Sequence, residues 1–78
     1  MSRKDLANIE KYTMLYEKYQ NLLTQNQRQI FELYFYQDLS YAEIAEITAT
    51  TRTAAYDAVR KATAKLEKLE KQVYENQL

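Results

Sequence analysis

Apolar residues recur along the first third of the chain at Leu6, Ile9, Tyr12, Leu15, Tyr16, Tyr19, Leu22 and Leu23. Steps of three and four mark one face of an α-helix. The stripe is wide, so it predicts a helix over residues 3–23 that is buried on more than one side, with Arg3, Lys4, Lys11 and Lys18 in water. Ser2 with Asp5 three positions on predicts a capping box at its start. Thr24 with Gln27 predicts another, opening a second helix over 25–36 whose core face is Ile30, Phe31, Leu33, Tyr34 and Phe35.

Gln37, Asp38 and Leu39 connect to Ser40, which with Glu43 makes a third capping box. Leu39, just before that cap, is placed to act as a hydrophobic staple. A short helix over 41–47 then has Ile44, Ala45 and Ile47 on its apolar side. The small Ala45 suits the point where two helices cross closely. After Thr48-Ala49-Thr50-Thr51 a last helix is predicted over 51–75, with Thr50 or Thr51 as its N-cap. Its apolar positions, Ala55, Val59, Ala62, Leu66, Leu69 and Val73, alternate steps of four and three. The whole pattern predicts an all-α bundle of about four helices, one domain over 1–78, with a helix-turn-helix at residues 40–61.

A last helix of that size is about 36 Å long, more than a compact small domain needs. Two uses follow. Either the first helix packs along it antiparallel, or its second half forms a homodimer seam through Leu66, Leu69 and Val73. The two can coexist.

Composition supports helices and removes most chemistry. Glycine and proline are both absent, which leaves no residues for tight hairpins. Cysteine and histidine are absent as well, so there is no thiolate metal site, no disulfide and no imidazole base. Glu43 and Glu46, and Glu67 and Glu70, are paired carboxylates one turn apart, yet they lie among lysines without a phosphate-cradling loop and read as solvated faces. No nucleophile–base pair is present. A non-enzymatic chain with no cofactor or metal is expected. No apolar run is long enough for a membrane span and no signal peptide is visible, so the expected location is the cytoplasm.

Formal charge sums to zero, unlike a dedicated nucleic-acid binder. The distribution is polarised, however. From Thr51 to Lys71 the cations Arg52, Arg60, Lys61, Lys65, Lys68 and Lys71 stand against Asp57, Glu67 and Glu70, while the first fifty residues are net acidic. If the last helix enters a major groove, its outward N-terminal residues make the contacts: Thr51, Arg52, Thr53, Tyr56, Arg60 and Lys61. Asp57 repels phosphate unless it accepts from a cytosine amino group, and its i,i+4 spacing from Lys61 suits a local ion pair. Of the eight tyrosines, Tyr12, Tyr16, Tyr19 and Tyr34 sit at core spacing, Tyr36 and Tyr41 are expected to pack on the first helix, and Tyr56 projects from the presumed reading face.

The run from Leu23 to Tyr34 followed by Leu39-Ser40-Tyr41-Ala42-Glu43-Ile44-Ala45-Glu46 resembles region 4 of bacterial sigma factors. With Tyr16 to Thr24, Ile30 to Ser40 and then Thr51-Arg52-Thr53-Ala54-Ala55-Tyr56-Asp57, the chain more specifically resembles the YlxM family, small helix-turn-helix proteins of low-GC Gram-positive bacteria and mycoplasmas. The resemblance covers roughly Ile9 to Glu70. It implies a regulatory helix-turn-helix protein that binds DNA or RNA, and a link to signal recognition particle components, since genes of the family tend to lie beside those of that pathway. Members usually carry further helical sequence, so a tail beyond Leu78 is expected to be absent here.

The chain departs from the family pattern at the turn. Relatives place apolar, Gly, apolar, Ser where this chain has Thr48, Ala49, Thr50 and Thr51. A positive φ there would cost alanine about 1 kcal/mol, so a looser or re-formed turn is expected. Two functional readings stay open. One is a regulatory nucleic-acid binder, and the other is a module that uses the same fold to dock on a protein of that pathway.

Overall fold

The computed structural model describes residues 5–76, with side chains to residue 75. Four α-helices make up the fold among these residues. Helix α1 spans Leu6–Tyr19, α2 spans Gln25–Phe31, α3 spans Tyr41–Thr48 and α4 spans Arg52–Asn76. The chain is all-α, with no strand among the described residues.

Asp5, not Ser2, caps α1: its Oδ1 accepts from the Ala7 N–H at 3.0 Å. Ser2 lies outside the described residues. The helix buries Tyr12, Leu15 and Tyr16. It stops four residues earlier than the apolar stripe suggests, because a 3-10 turn over Gln20–Leu22 tightens the chain and breaks the register. Leu23 then turns extended and is buried, while Leu22 is left in solvent. Leu6 is exposed as well, so the stripe on α1 is narrower than its sequence suggests.

Helix α2 begins with the Thr24–Gln27 capping box, closed by bonds of 3.1 and 3.0 Å. Its last turn widens into a π turn over Glu32–Tyr36, where the sequence suggests regular helix to residue 36. The Gln37 N–H bonds the Glu32 carbonyl at 3.0 Å, five residues back. Widening the turn reduces the rotation per residue, so the consecutive Leu33, Tyr34 and Phe35 all reach the core. It also gathers Phe31 and Tyr36 around Tyr16 and places Phe35 between Phe31 and Tyr12. The Tyr16 and Phe31 rings stack at 4.3 Å, Phe31 and Phe35 lie 4.5 Å apart, and Tyr36 meets Tyr16 at 5.8 Å. The Tyr16 hydroxyl donates to the Glu32 carboxylate. Asp38 leaves the π turn with φ 56°, and Leu39 bonds back to the Leu33 carbonyl at 3.1 Å.

The Ser40–Glu43 capping box starts α3, with bonds of 3.2 and 2.9 Å. Ile44 and Ala45 are buried, but Ile47 is exposed. The packed side of α3 runs through Ile44 and Ala45 toward part-buried Thr48, which turns Ile47 away. Ala49 then adopts the left-handed conformation, φ 55° and ψ 43°. The Thr50 N–H bonds the Ala45 carbonyl at 2.9 Å and the Ala49 N–H the Glu46 carbonyl at 3.4 Å, the bond pattern of a Schellman motif. The looser turn expected from the missing glycine is therefore not found. Threonines brace the glycine-type geometry instead. Thr48 Oγ1 bonds the Ile44 carbonyl at 2.8 Å and lies 2.9 Å from Thr50 Oγ1.

Helix α4 is the spine. At 25 residues it is about 37 Å long, close to the 43 Å longest dimension of the molecule. Its first half packs Ala55, Val59 and Ala62 into the core with α2 and α3, and Leu66, just past the middle, is buried as well. Buried Thr63 is tolerated because its hydroxyl bonds the Val59 and Arg60 carbonyls at 3.1 and 3.0 Å. Its second half meets α1. Lys11 and Tyr12 both reach Glu67, at 2.7 and 3.1 Å, and Lys18 reaches Glu70 at 3.5 Å. These pairs advance in the same sense along both helices, so the expected antiparallel packing is corrected. The proposed seam also changes. Leu66 is fully buried inside the single chain and is unavailable to a partner, Leu69 is half-buried, and Val73 is exposed.

Two stability results follow. Ala49→Gly should stabilise the fold by roughly 0.5–1 kcal/mol, since it removes the Cβ penalty at a positive φ. The check is a chemical denaturation midpoint that rises with unchanged slope. The second result concerns alkaline pH. Burial, reinforced by the hydrogen bond to Glu32, pushes the Tyr16 phenol above the ordinary tyrosine range. The unfolded chain then loses this proton first. Stability is fully present below pH about 10 and falls as pH rises past it. Tyr16→Phe should flatten that fall in thermal melts between pH 9 and 12, although it weakens the fold at pH 7 through loss of the bond.

Candidate nucleic-acid interface

The start of α4 is presented to solvent because the turn before it is closed and the residues behind it are buried. Thr51 is the N-cap: its Oγ1 accepts from the Ala54 N–H at 3.0 Å, and its carbonyl accepts from the Ala55 N–H at 2.9 Å. The Thr51 hydroxyl oxygen thus serves the helix as an acceptor, a role that leaves its O–H as a donor. Arg52 and Thr53 are exposed on the first turn, and Tyr56 is 44% exposed on the second. Ala55 and Val59, on the adjoining face of the helix, fix this orientation by being buried.

Three of the six residues singled out from the sequence come together. Arg52, Thr53 and Tyr56 surround a shallow notch whose fourth wall is Tyr41, from the first turn of α3. Nothing in the sequence pattern points to Tyr41. It was expected on the first helix, but its ring stacks on Tyr34 at 5.0 Å and 6°. The Tyr56 ring stands nearly perpendicular to it, at 5.3 Å and 85°. A ladder of tyrosines therefore runs from the buried Tyr34 out to the surface, and Tyr56 is held by its outer end.

Arg60 and Lys61 are placed differently. Both are drawn to Asp57, Arg60 at 3.3 Å and Lys61 at 3.6 Å. Lys61 and Asp57 also turn toward α2, where they line a second groove with Thr24, Asn26 and Gln27. Arg52 has no carboxylate within 4 Å among the described residues, and neither do Lys65 and Lys68 farther along α4. Lys71 faces Glu75 at 4.0 Å. The positive edge is thus partly neutralised: free at Arg52, Lys65 and Lys68, and tied to Asp57 between them. These surface pairs are weak, each worth under about 1 kcal/mol, so a phosphate can compete for the cations.

Three of the four paired carboxylates have structural partners. Glu43 closes the cap of α3, while Glu67 and Glu70 take lysines from α1. No cluster of three or more metal-ligating side chains occurs among the described residues. None of the described helices is long and apolar enough to cross a membrane.

Comparison with known proteins places this geometry. The family model for UPF0122, described as "Putative helix-turn-helix protein, YlxM / p13 like", matches residues 6–77. A UPF0122 protein of Clostridium novyi is 44% identical over 63 residues, covering 81% of this chain and 55% of the relative. One from Caldanaerobacter subterraneus is 47% identical over 55 residues, 70% of this chain and 47% of the relative. One from Bacillus cereus is 40% identical over 68 residues, 87% and 62%. The chain spans about half the length of the curated relatives it matches. It belongs to the UPF0122 family of helix-turn-helix proteins.

Proposed function

We propose, from that membership and from the exposed start of α4, that the chain is a non-enzymatic regulator that binds nucleic acid in the cytoplasm. The observation that carries this reading is the grouping of Arg52, Thr53 and Tyr56 on the solvent side of the second helix of a closed helix-turn-helix. That is where such folds make their contacts. Arg52 offers a bidentate donor to a base edge or phosphate, and Thr53 a hydroxyl. Arg60 joins them by exchanging Asp57 for phosphate, and Lys61, Lys65 and Lys68 extend the cationic edge along the backbone of the ligand. The family resemblance adds the candidate targets, namely duplex DNA and the RNA of the signal recognition particle.

Zero net charge and the capture of two cations by Asp57 favour a second reading, in which the same fold docks on a protein of that pathway. Salt dependence separates the two.

Binding of labelled duplex DNA and of signal recognition particle RNA, each at two salt concentrations, tests the proposal. Arg52→Glu with Arg60→Glu should abolish binding at low salt. Asp57→Asn should do the opposite: it frees Arg60 and Lys61, and should tighten binding severalfold and steepen the salt slope by roughly 1–2. No binding of either nucleic acid at low salt contradicts the proposal. Capture of a protein partner unaffected by the double charge reversal supports the second reading.

A further inference from the structure

The notch at the start of α4 is aromatic before it is cationic. Two rings meet there at 85°, with one guanidinium beside them. Tyr41 has one face covered by Tyr34. Among the described residues Tyr56 has a single ring neighbour, Tyr41, which it meets edge-on. Tyr56 is 44% exposed, while its position is fixed from beneath by the ladder from Tyr34. A fixed, exposed ring is a stacking platform that costs little ordering on binding.

The charge around the notch argues in the same direction. A duplex reader draws much of its affinity from phosphate contacts. Here the overall charge is zero, and Arg60 and Lys61 lean on Asp57. Arg52 is left as the cation at the notch without a carboxylate partner among the described residues. Bases inside a duplex already have both faces stacked and cannot use a tyrosine face, whereas an unpaired base can.

We propose that Tyr56 is a stacking platform for an unpaired base, so that the preferred ligand is a single strand or a loop rather than a fully paired duplex. The proposal rests on the reading of α4 as a nucleic-acid contact. It narrows that reading to a ligand class. Tyr56 stacks on the base, Tyr41 holds the Tyr56 ring in place, and Arg52 binds the phosphate beside that base.

The chain contains no tryptophan, so Tyr56→Trp introduces a single fluorophore at the platform. The probes are an RNA hairpin with a loop of about eight unpaired nucleotides and a fully paired duplex of the same length. The expected result is quenching of the Trp emission by the hairpin and little change with the duplex. Tyr56→Ala should weaken hairpin binding roughly ten- to hundredfold, and Tyr56→Phe should restore most of it, because the ring and not the hydroxyl does the stacking. Circular dichroism confirms that each variant keeps its helices. Equal or tighter binding of the duplex, or hairpin binding that Tyr56→Ala leaves unchanged, overturns the base-stacking proposal and spares the broader reading. Failure of the original sequence to bind either probe at low salt overturns both.

Discussion

Everything distinctive in this molecule depends on one residue held in a conformation it disfavours. Ala49 sits in the left-handed region at the end of α3, and the Thr50 to Ala45 bond closes the turn around it. That closure brings α3 against α4, with the small residues Ala45 and Ala55 both buried. Cβ strain at Ala49 works against it by about 1–2 kcal/mol. Burial of Ile44, Val59 and Leu66 works for it, at about 1.5–3 kcal/mol for each large side chain. Packing therefore outweighs the local preference, and the threonine hydroxyls of the turn satisfy polar groups that a looser turn would leave to water.

The same balance explains why the surface at the start of α4 is ordered. One helix serves two partners. Its first half is fixed by α2 and α3, and its second half by lysines and a tyrosine of α1 that reach Glu67 and Glu70. The ion pairs there are exposed and contribute little stability. The aromatic core contributes far more, with Phe31 in contact with both Tyr16 and Phe35 and Tyr34 continuing outward through Tyr41 to Tyr56. The tyrosine ladder thus couples the core to the candidate binding face: the residue that meets the ligand is positioned by residues that hold the fold.

Much of this is legible in the sequence, for definable reasons. Capping boxes are local, so Thr24–Gln27 and Ser40–Glu43 can be read directly, and buried positions on α4 follow from spacing up to Leu66. What fails is whatever depends on a partner in space. Leu22 and Ile47 have the right spacing but face solvent, because a 3-10 turn redirects Leu22 and α3 packs on the side of Ile44, Ala45 and Thr48. The π turn at Glu32–Tyr36 has no sequence signature beyond three consecutive apolar residues. Tyr41 beside Tyr56 is a contact across the turn, so only the assembled structure brings it to the notch. The heptad on α4 suggests a seam between chains as readily as a core, and the burial of Leu66 decides in favour of the core at that position.

A second surface lies between α1 and the second half of α4, a groove lined by Met14, Lys18, Lys71 and Tyr74, and the proposed ligand meets the start of α4 instead. Backbone amide chemical-shift mapping with an RNA hairpin tests it residue by residue. The account predicts the largest shifts at Arg52, Thr53, Tyr56 and Arg60, with smaller ones at Tyr41. Shifts confined to Met14, Lys18, Lys71 and Tyr74, with the start of α4 unmoved, would contradict it.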